Sequence, residues 1–298
     1  MDVAFGNPGL LKIDKIKVGY SFADVPHGKA DYEQINYFVN VTCKDQSFAR
    51  SFSQASKKHA WTEGWVELDK DVWLEVAFGY TPSGHRAFFQ FNPSKLTPKA
   101  RATLEAATML CLYEEWEGLA KNGHVSYVEF AYDVVGAGYS DFLCIDTRLQ
   151  SINDMYMKVG GFYLGAKRAR RRIAFYDKEY ELFKNHKLVL GHRLLRLEAC
   201  LRPPTKQRLC DLPKLVNPFA PTIVIDRKLL ECCTPSFRME RFRKRVLIQG
   251  KNAQDAFSMA VGSGQAKKEF VQELCSLAPP WWNPTAIWEG APATLDWF

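Results

Sequence analysis

Arg170-Arg171-Arg172-Ile173-Ala174-Phe175-Tyr176-Asp177-Lys178-Glu179, followed by Leu195-Arg196-Leu197-Glu198-Ala199-Cys200-Leu201-Arg202, decides how this chain is read. Both runs alternate in the manner of strands, and both carry reactive side chains on that alternation. Between Ala166 and Arg202, eleven Lys/Arg stand against four Asp/Glu, a net +7 that equals the formal charge of the whole protein. The basicity is therefore concentrated, and it surrounds a tyrosine and a carboxylate. Such a grouping suits a protein that holds a phosphodiester backbone and acts on it.

Upstream of this stretch, the patterns 12–22, 37–43, 72–80 and 85–91 read as strands, and Thr81-Pro82-Ser83-Gly84 turns the last two into a hairpin. A helix is expected over 97–121, where Leu104, Met109, Leu112 and Trp116 recur at roughly helical spacing until Asn122-Gly123. A strand follows from His124, a helix over 146–158, then Gly160 to Gly165 and the two opening strands. That order with tight links describes an antiparallel sheet backed by helices, hence an α+β fold. Beyond Pro203-Pro204 the patterns 205–216, 236–248 and 253–278 are helical, so a boundary is expected there, dividing 1–203 from a mainly helical 204–298. The end of the chain, from Pro279, holds four of the eight tryptophans and is expected to dock on the parent fold.

With 298 residues, 47% hydrophobic and 24% charged, the chain can build a sizeable core and is not expected to be disordered. It has no apolar run of the roughly 20 residues that cross a bilayer, and Met1-Asp2-Val3-Ala4-Phe5-Gly6 has no secretory character, so a cytoplasmic protein without a membrane partner is expected. The eight cysteines are scattered without a C-x-x-C pair, which points to buried free thiols.

Strand parity sorts the central region further. Tyr127, Glu129, Ala131 and Asp133 oppose Val128, Phe130, Tyr132 and Val134. Arg172, Ala174, Tyr176 and Lys178 oppose Ile173, Phe175 and Asp177. Arg196, Glu198, Cys200 and Arg202 oppose Leu195, Leu197, Ala199 and Leu201. One face of each strand is apolar, and the other faces together hold three carboxylates, a tyrosine and several cations. Glu129 and Asp133 meet no Lys or Arg on their own strand face. Converging with Glu198, they would form an oxygen-rich site of the kind that Mg²⁺ or Mn²⁺ prefers.

These runs carry a resemblance. Gly161-Phe162-Tyr163-Leu164-Gly165-Ala166-Lys167-Arg168, Arg172 to Glu179 and Leu195 to Arg202 resemble the replication initiation factor family, the rolling-circle Rep proteins of small plasmids and filamentous-type phages. Phe89-Gln90-Phe91-Asn92-Pro93-Ser94-Lys95-Leu96 is similar to the family's F-N-P-x-K-L element, and Val128 to Asp133 to its acidic strand. The resemblance covers about residues 75 to 205. Ala166 stands where the family has Ser, Glu129 where it has Asp, and Tyr127 where it has Arg.

The resemblance implies an enzyme that nicks origin DNA and transfers the strand. Tyr176 would attack the phosphodiester, leaving a 5′-phosphotyrosine and a free 3′-OH; Tyr180 is a candidate second nucleophile. A divalent cation, Mg²⁺ or Mn²⁺, on Asp133, Glu198 and Glu129 would polarise the phosphate. Arg172, Lys178 and Arg196 would hold phosphate oxygens, and Lys167, Arg168, Arg170 and Arg171 would track the backbone. The partner would be origin DNA, single-stranded or supercoiled and cruciform, with a host helicase and polymerase as further partners and a homodimer left open. No G-x-x-x-x-G-K-[ST] loop is present.

Downstream, Arg238-Met239-Glu240-Arg241-Phe242-Arg243-Lys244-Arg245 sets five cations against one acid. Arg241, Arg243, Lys244 and Arg245 are candidates for duplex contacts. His124, His186 and His192 lack the His-hydrophobe-His pairing of a metal site. A tyrosine recombinase places its nucleophile after its basic and His motifs, the reverse of the order here, whereas a non-catalytic DNA-binding protein would keep the basic strands and have no use for the three acids.

Overall fold

A computed structural model describes residues 7–24, 33, 49–56, 61–81, 84–112, 115–149, 155–158, 160–203 and 207–291. In chain order the strands are β1 (Asn7–Pro8), β2 (Lys12–Ser21), β3 (Ala49–Ser56), β4 (Trp61–Asp69), β5 (Val72–Thr81), β6 (Gly84–Phe91), β7 (His124–Val135), β8 (Phe142–Asp146), β9 (Met155–Lys158), β10 (Gly161–Leu164), β11 (Arg171–Asp177), β12 (Leu194–Leu201) and β13 (Thr222–Asp226). The helices are α1 (Pro98–Leu112), α2 (Trp116–Asn122), α3 (Lys178–His186), α4 (Arg227–Cys232), α5 (Phe237–Arg243), α6 (Ala253–Ala260), α7 (Gly264–Cys275) and α8 (Pro284–Glu289). A π-helical turn, Lys244–Ile248, prolongs α5. The protein is α+β, with antiparallel pairing throughout the resolved registers and a mainly helical C-terminal region.

Two compact units divide the chain, and neither is continuous in sequence. One takes in Met1–Leu11, Ala131–Cys200 and Val216–Ala291; the other takes in Lys12–Phe130, Leu201–Leu215 and Pro292–Phe298. The division expected at residue 203 thus marks a change of composition, whereas the compact units are assembled by strands that return from distant sequence.

The second unit orders its strands β3-β4-β5-β6-β2 and then the first half of β7. Val66, Leu68, Leu74, Val76, Phe78, Phe89, Phe91 and Val18 form its buried face, and Leu104, Ala107 and Cys111 of α1 are buried as well. The helix expected over 97–121 is two helices, and Met109, counted among its apolar stripe, is 50% exposed. The strand expected over 37–43 lies outside the described residues.

In the first unit the order is β7-β12-β11-β10-β9, with β1 on β7, and β13 pairs with β8 in a separate two-stranded sheet. The helix expected over 146–158 is replaced by the end of β8, a turn, and strand β9 paired with β10. Hydrogen bonding to neighbouring strands overrides local propensity there. The 205–216 helix contracts to a 3-10 segment, Leu209–Lys214, interrupted by Pro213. Helices α4 to α7 wrap the β8–β13 pair, and Ile145, Ile223, Ile225, Leu230, Met239, Phe242, Phe257, Phe270 and Leu274 make one core. Trp281 and Trp282 dock on this unit against Phe142 and Phe219, as expected; residues 292–298 of the tail lie outside the described residues. Among the described cysteines Cys111, Cys144 and Cys200 are buried free thiols, but Cys210, Cys232 and Cys275 are exposed. No described helix is long and apolar enough to cross a membrane.

Burial gives this unit an alkaline limit. The Tyr132 hydroxyl donates to the Trp281 carbonyl at 3.3 Å, and burial pushes its pKa up from 10 to about 12. A group whose folded pKa lies above its unfolded value contributes stability that is complete below the unfolded pKa and is lost as pH rises through the folded one. Resistance to urea is therefore expected to hold to about pH 10 and to fall between about pH 10 and 12. Urea titrations monitored by tyrosinate absorbance check this, since Tyr132 should ionise only as the protein unfolds.

Candidate active site

The site is built where β11 passes into α3. Asp177 ends the strand and caps the helix, its carboxylate accepting the Tyr180 amide at 2.8 Å. Tyr176 is thereby the last residue of β11 to point along the face it shares with Ala174. Gly161 of β10 sits directly across from it. A Cβ on Gly161 would lie 2.2 Å from the Tyr176 Cβ and 2.3 Å from the Phe175 carbonyl oxygen, so only glycine lets the two strands approach here.

The Tyr176 hydroxyl donates to Glu198 Oε1 of β12 at 2.5 Å. Arg196, two residues earlier on the same face of β12, places Nη1 3.5 Å from Glu198 Oε1. Its Nε and Nη2 donate to the two oxygens of Asp133 on β7 at 2.5 and 2.7 Å. Tyr176, Glu198, Arg196 and Asp133 thus form one chain of charge-assisted hydrogen bonds across three strands. Tyr176, Arg196 and Glu198 are 1%, 4% and 6% exposed. Burial, and after it the negative charge of Glu198, push the Tyr176 hydroxyl far above its ordinary pKa, with Arg196 pulling the other way.

Further along the same face of β11, the Arg172 guanidinium lies 4.3 Å over the Tyr163 ring, with Nη2 3.7 Å from the Cys200 sulfur. Lys178 lies 5.9 Å from the Tyr176 ring and forms an ion pair with Glu181. Tyr180 is 45% exposed in the first turn of α3. It does not share an element with Tyr176, so the four-residue spacing does not place them on one face. The turn preceding β10 borders Tyr180 and Asp177: a Cβ on Gly160 would come within 3.1 Å of the Tyr180 ring and 3.5 Å of the Asp177 Cβ.

The carboxylates do not fit a divalent cation in the way the sequence suggested. Arg196 occupies both oxygens of Asp133, and Glu198 is held by Tyr176 and Arg196. Glu129 belongs to the other unit, where it accepts the Tyr127 hydroxyl and lies 3.7 Å from Lys15. Among the described residues no group of three or more His, Cys, Asp or Glu side chains is placed to hold a metal ion. The missing cations of β7 come from other strands, Lys15 of β2 and Arg196 of β12, which parity within one strand could not reveal.

Three candidates for DNA contacts are corrected likewise. Arg171 is buried: it forms an ion pair with Asp146, donates to Thr222 Oγ1 at 2.7 Å and binds the Pro218 carbonyl at 2.5 Å. Its parity with Ile173 and Phe175 was a signal that it points away from Tyr176. Arg196 is the internal cation just described. Arg243 pairs with Glu240 at 2.7 Å and reaches the Glu231 and Cys233 carbonyls at 3.4 Å, tying α4 to α5. Lys167, Arg168 and Arg170 are exposed on the β10–β11 connection, and Arg241 and Lys244 are exposed on α5 and its extension, whereas Arg245 is half-buried. His186 and His192 are exposed, away from any metal group among the described residues.

No protein-family model and no curated protein matches the chain.

Proposed function

We propose that the protein nicks DNA and transfers the cut strand through a covalent phosphotyrosine, as a rolling-circle replication initiator. The observation that carries this reading is the hydrogen bond from Tyr176 to Glu198 beside Arg196. A tyrosine held on a carboxylate is a nucleophile with its general base in place. As the Tyr176 oxygen bonds to phosphorus, Glu198 takes its proton and the bond from phosphorus to the 3′ oxygen breaks. The products are a 5′-phosphotyrosine and, once solvent protonates the leaving oxygen, a 3′-OH. Lys178, beside the Tyr176 ring, supplies positive charge where the phosphate becomes more negative, while Arg196 holds Glu198 and Asp133 in place. Lys167, Arg168 and Arg170, exposed at the end of the β10–β11 hairpin opposite Tyr176, would hold the DNA backbone at a distance from the cut. A divalent cation would have to displace Arg196 from Asp133, so no step is assigned to one.

The test is covalent. The purified protein, mixed with single-stranded oligonucleotides that tile the DNA of its own replicon, is expected to shift in mass by one cleaved fragment, and peptide mass spectrometry is expected to place that fragment on Tyr176. No adduct on any tyrosine, with and without Mn²⁺, would remove the enzymatic reading. The near-complete burial of Tyr176 favours a second reading, a non-catalytic DNA-binding protein in which the four residues are an internal polar network. That reading requires binding without any adduct.

A further inference from the structure

The basic run that begins at Arg238 lies outside the candidate active site, on a helix with its own support. Ser236 caps α5 through the Met239 amide, and Glu273 of α7 holds the Ser236 amide and hydroxyl at 3.0 and 2.6 Å. Met239 and Phe242 are fully buried and Val246 is 6% exposed, all in the core shared with Leu230, Phe257 and Phe270. One side of the helix is thus fixed, and the opposite side is open.

That open side is basic and apolar together. Phe237 and Ile248 are 78% and 76% exposed at its two ends, and Arg241 and Lys244 are exposed between them. The Arg241 guanidinium lies 5.8 Å from the Phe237 ring. Glu240, the one acid of the run, is engaged by Arg243, so it does not neutralise these two. Arg238 and Arg245, both half-buried, flank the strip. Arg238 lies against Gly262, in the connection between α6 and α7.

We infer that α5 and its π-helical extension dock on duplex DNA. The rise of about 1.5 Å per residue makes the segment roughly 18 Å long, and a helix fits the major groove, about 12 Å wide. Arg241 and Lys244 meet phosphates along the walls of the groove, and Phe237 and Ile248 contact thymine methyl groups or sugar. The exposed cations Arg241 and Lys244 have no acid of the run to pair with, since Glu240 is engaged by Arg243, whereas a polyanion releases counterions on meeting them. The inference rests on the DNA reading above but not on the nicking chemistry: α4, a four-residue link and α5 form a helix pair whose second member presents the cations.

The full chain with Arg241→Glu and Lys244→Glu together, and the milder pair Arg241→Gln and Lys244→Gln, are compared with the wild type by fluorescence anisotropy. The probes are a duplex of mixed sequence, either of its single strands, and vesicles of anionic phospholipid. The charge reversal is expected to weaken duplex binding at least tenfold more than single-strand binding, and the neutral pair to lower the slope of log K against log salt by about 2 (roughly 0.9 per phosphate contact). Unchanged duplex affinity, an equal loss on single strands, or binding of the wild type to vesicles in preference to duplex each overturns the proposal. Thermal melts confirm that the variants fold. Absence of a covalent adduct with the wild type counts against the nicking reaction alone.

Discussion

Tyr176→Phe is expected to abolish strand cleavage, with no residual covalent adduct, while the protein stays folded. The substitution removes one oxygen from a ring already buried on β11. The neighbouring Ala174 and Phe175 keep their packing, and Glu198 keeps Arg196 as a partner at 3.5 Å. The stability change should therefore stay near the net worth of one hydrogen bond, about 1 kcal/mol. Activity responds differently, because phenylalanine has no atom that can bond to phosphorus. Glu198→Gln keeps the shape but cannot take the proton, and is expected to slow cleavage by about 10²–10⁴-fold. Tyr180→Phe should leave a first cleavage intact, since Tyr180 sits on the helix beyond the cap. The measurement is single-turnover cleavage of a labelled oligonucleotide, with circular dichroism as the folding control. Full cleavage by Tyr176→Phe, or its loss in Tyr180→Phe alone, would move the nucleophile to the exposed tyrosine.

Arg171→Met should have the largest effect on stability. The Arg171 and Asp146 side chains are 9% and 2% exposed, and Arg171 also binds Thr222 and the Pro218 carbonyl, so it joins β11 to the β8–β13 layer. Removing it leaves the buried Asp146 charge with only the Arg148 amide at 3.0 Å and the exposed Arg148 guanidinium at 3.8 Å, a loss at the lower end of about 3–5 kcal/mol. The double variant Arg171→Met with Asp146→Leu removes both charges and should recover much of that loss. Equilibrium urea unfolding of the wild type, both single variants and the double variant gives the coupling directly. A loss under about 1 kcal/mol in Arg171→Met would mean that the pair is not buried in solution.

Much of the fold could be read along the chain because strand and helix periods need only local information. The strands β2, β5, β6, β7, β11 and β12 carry alternation strong enough to show their apolar faces, and parity correctly grouped Tyr176 with Arg172 and Glu198 with Arg196. Strands β1, β3, β4, β10, β8, β9 and β13 were not distinguished. The last three are short, and pairing with distant partners defines them, as Thr222 with Asp146 or Met155 with Leu164. The helix expected over 146–158 failed for the same reason, since β-structure is decided by neighbours across the sheet.

Local periodicity was enough to show the α+β class, the apolar floor of the central strands and the tyrosine, acids and arginines that share their other faces. These follow from the two-residue period of a strand, which any single segment displays. Which charges meet depends on contacts between strands distant in the chain. The tertiary structure placed Arg196 between Asp133 and Glu198, gave Glu129 to Lys15 and Tyr127, and sank Arg171 onto Asp146. An ion pair depends on distances between strands, and strand order is set by burial over the whole sheet rather than by any local pattern.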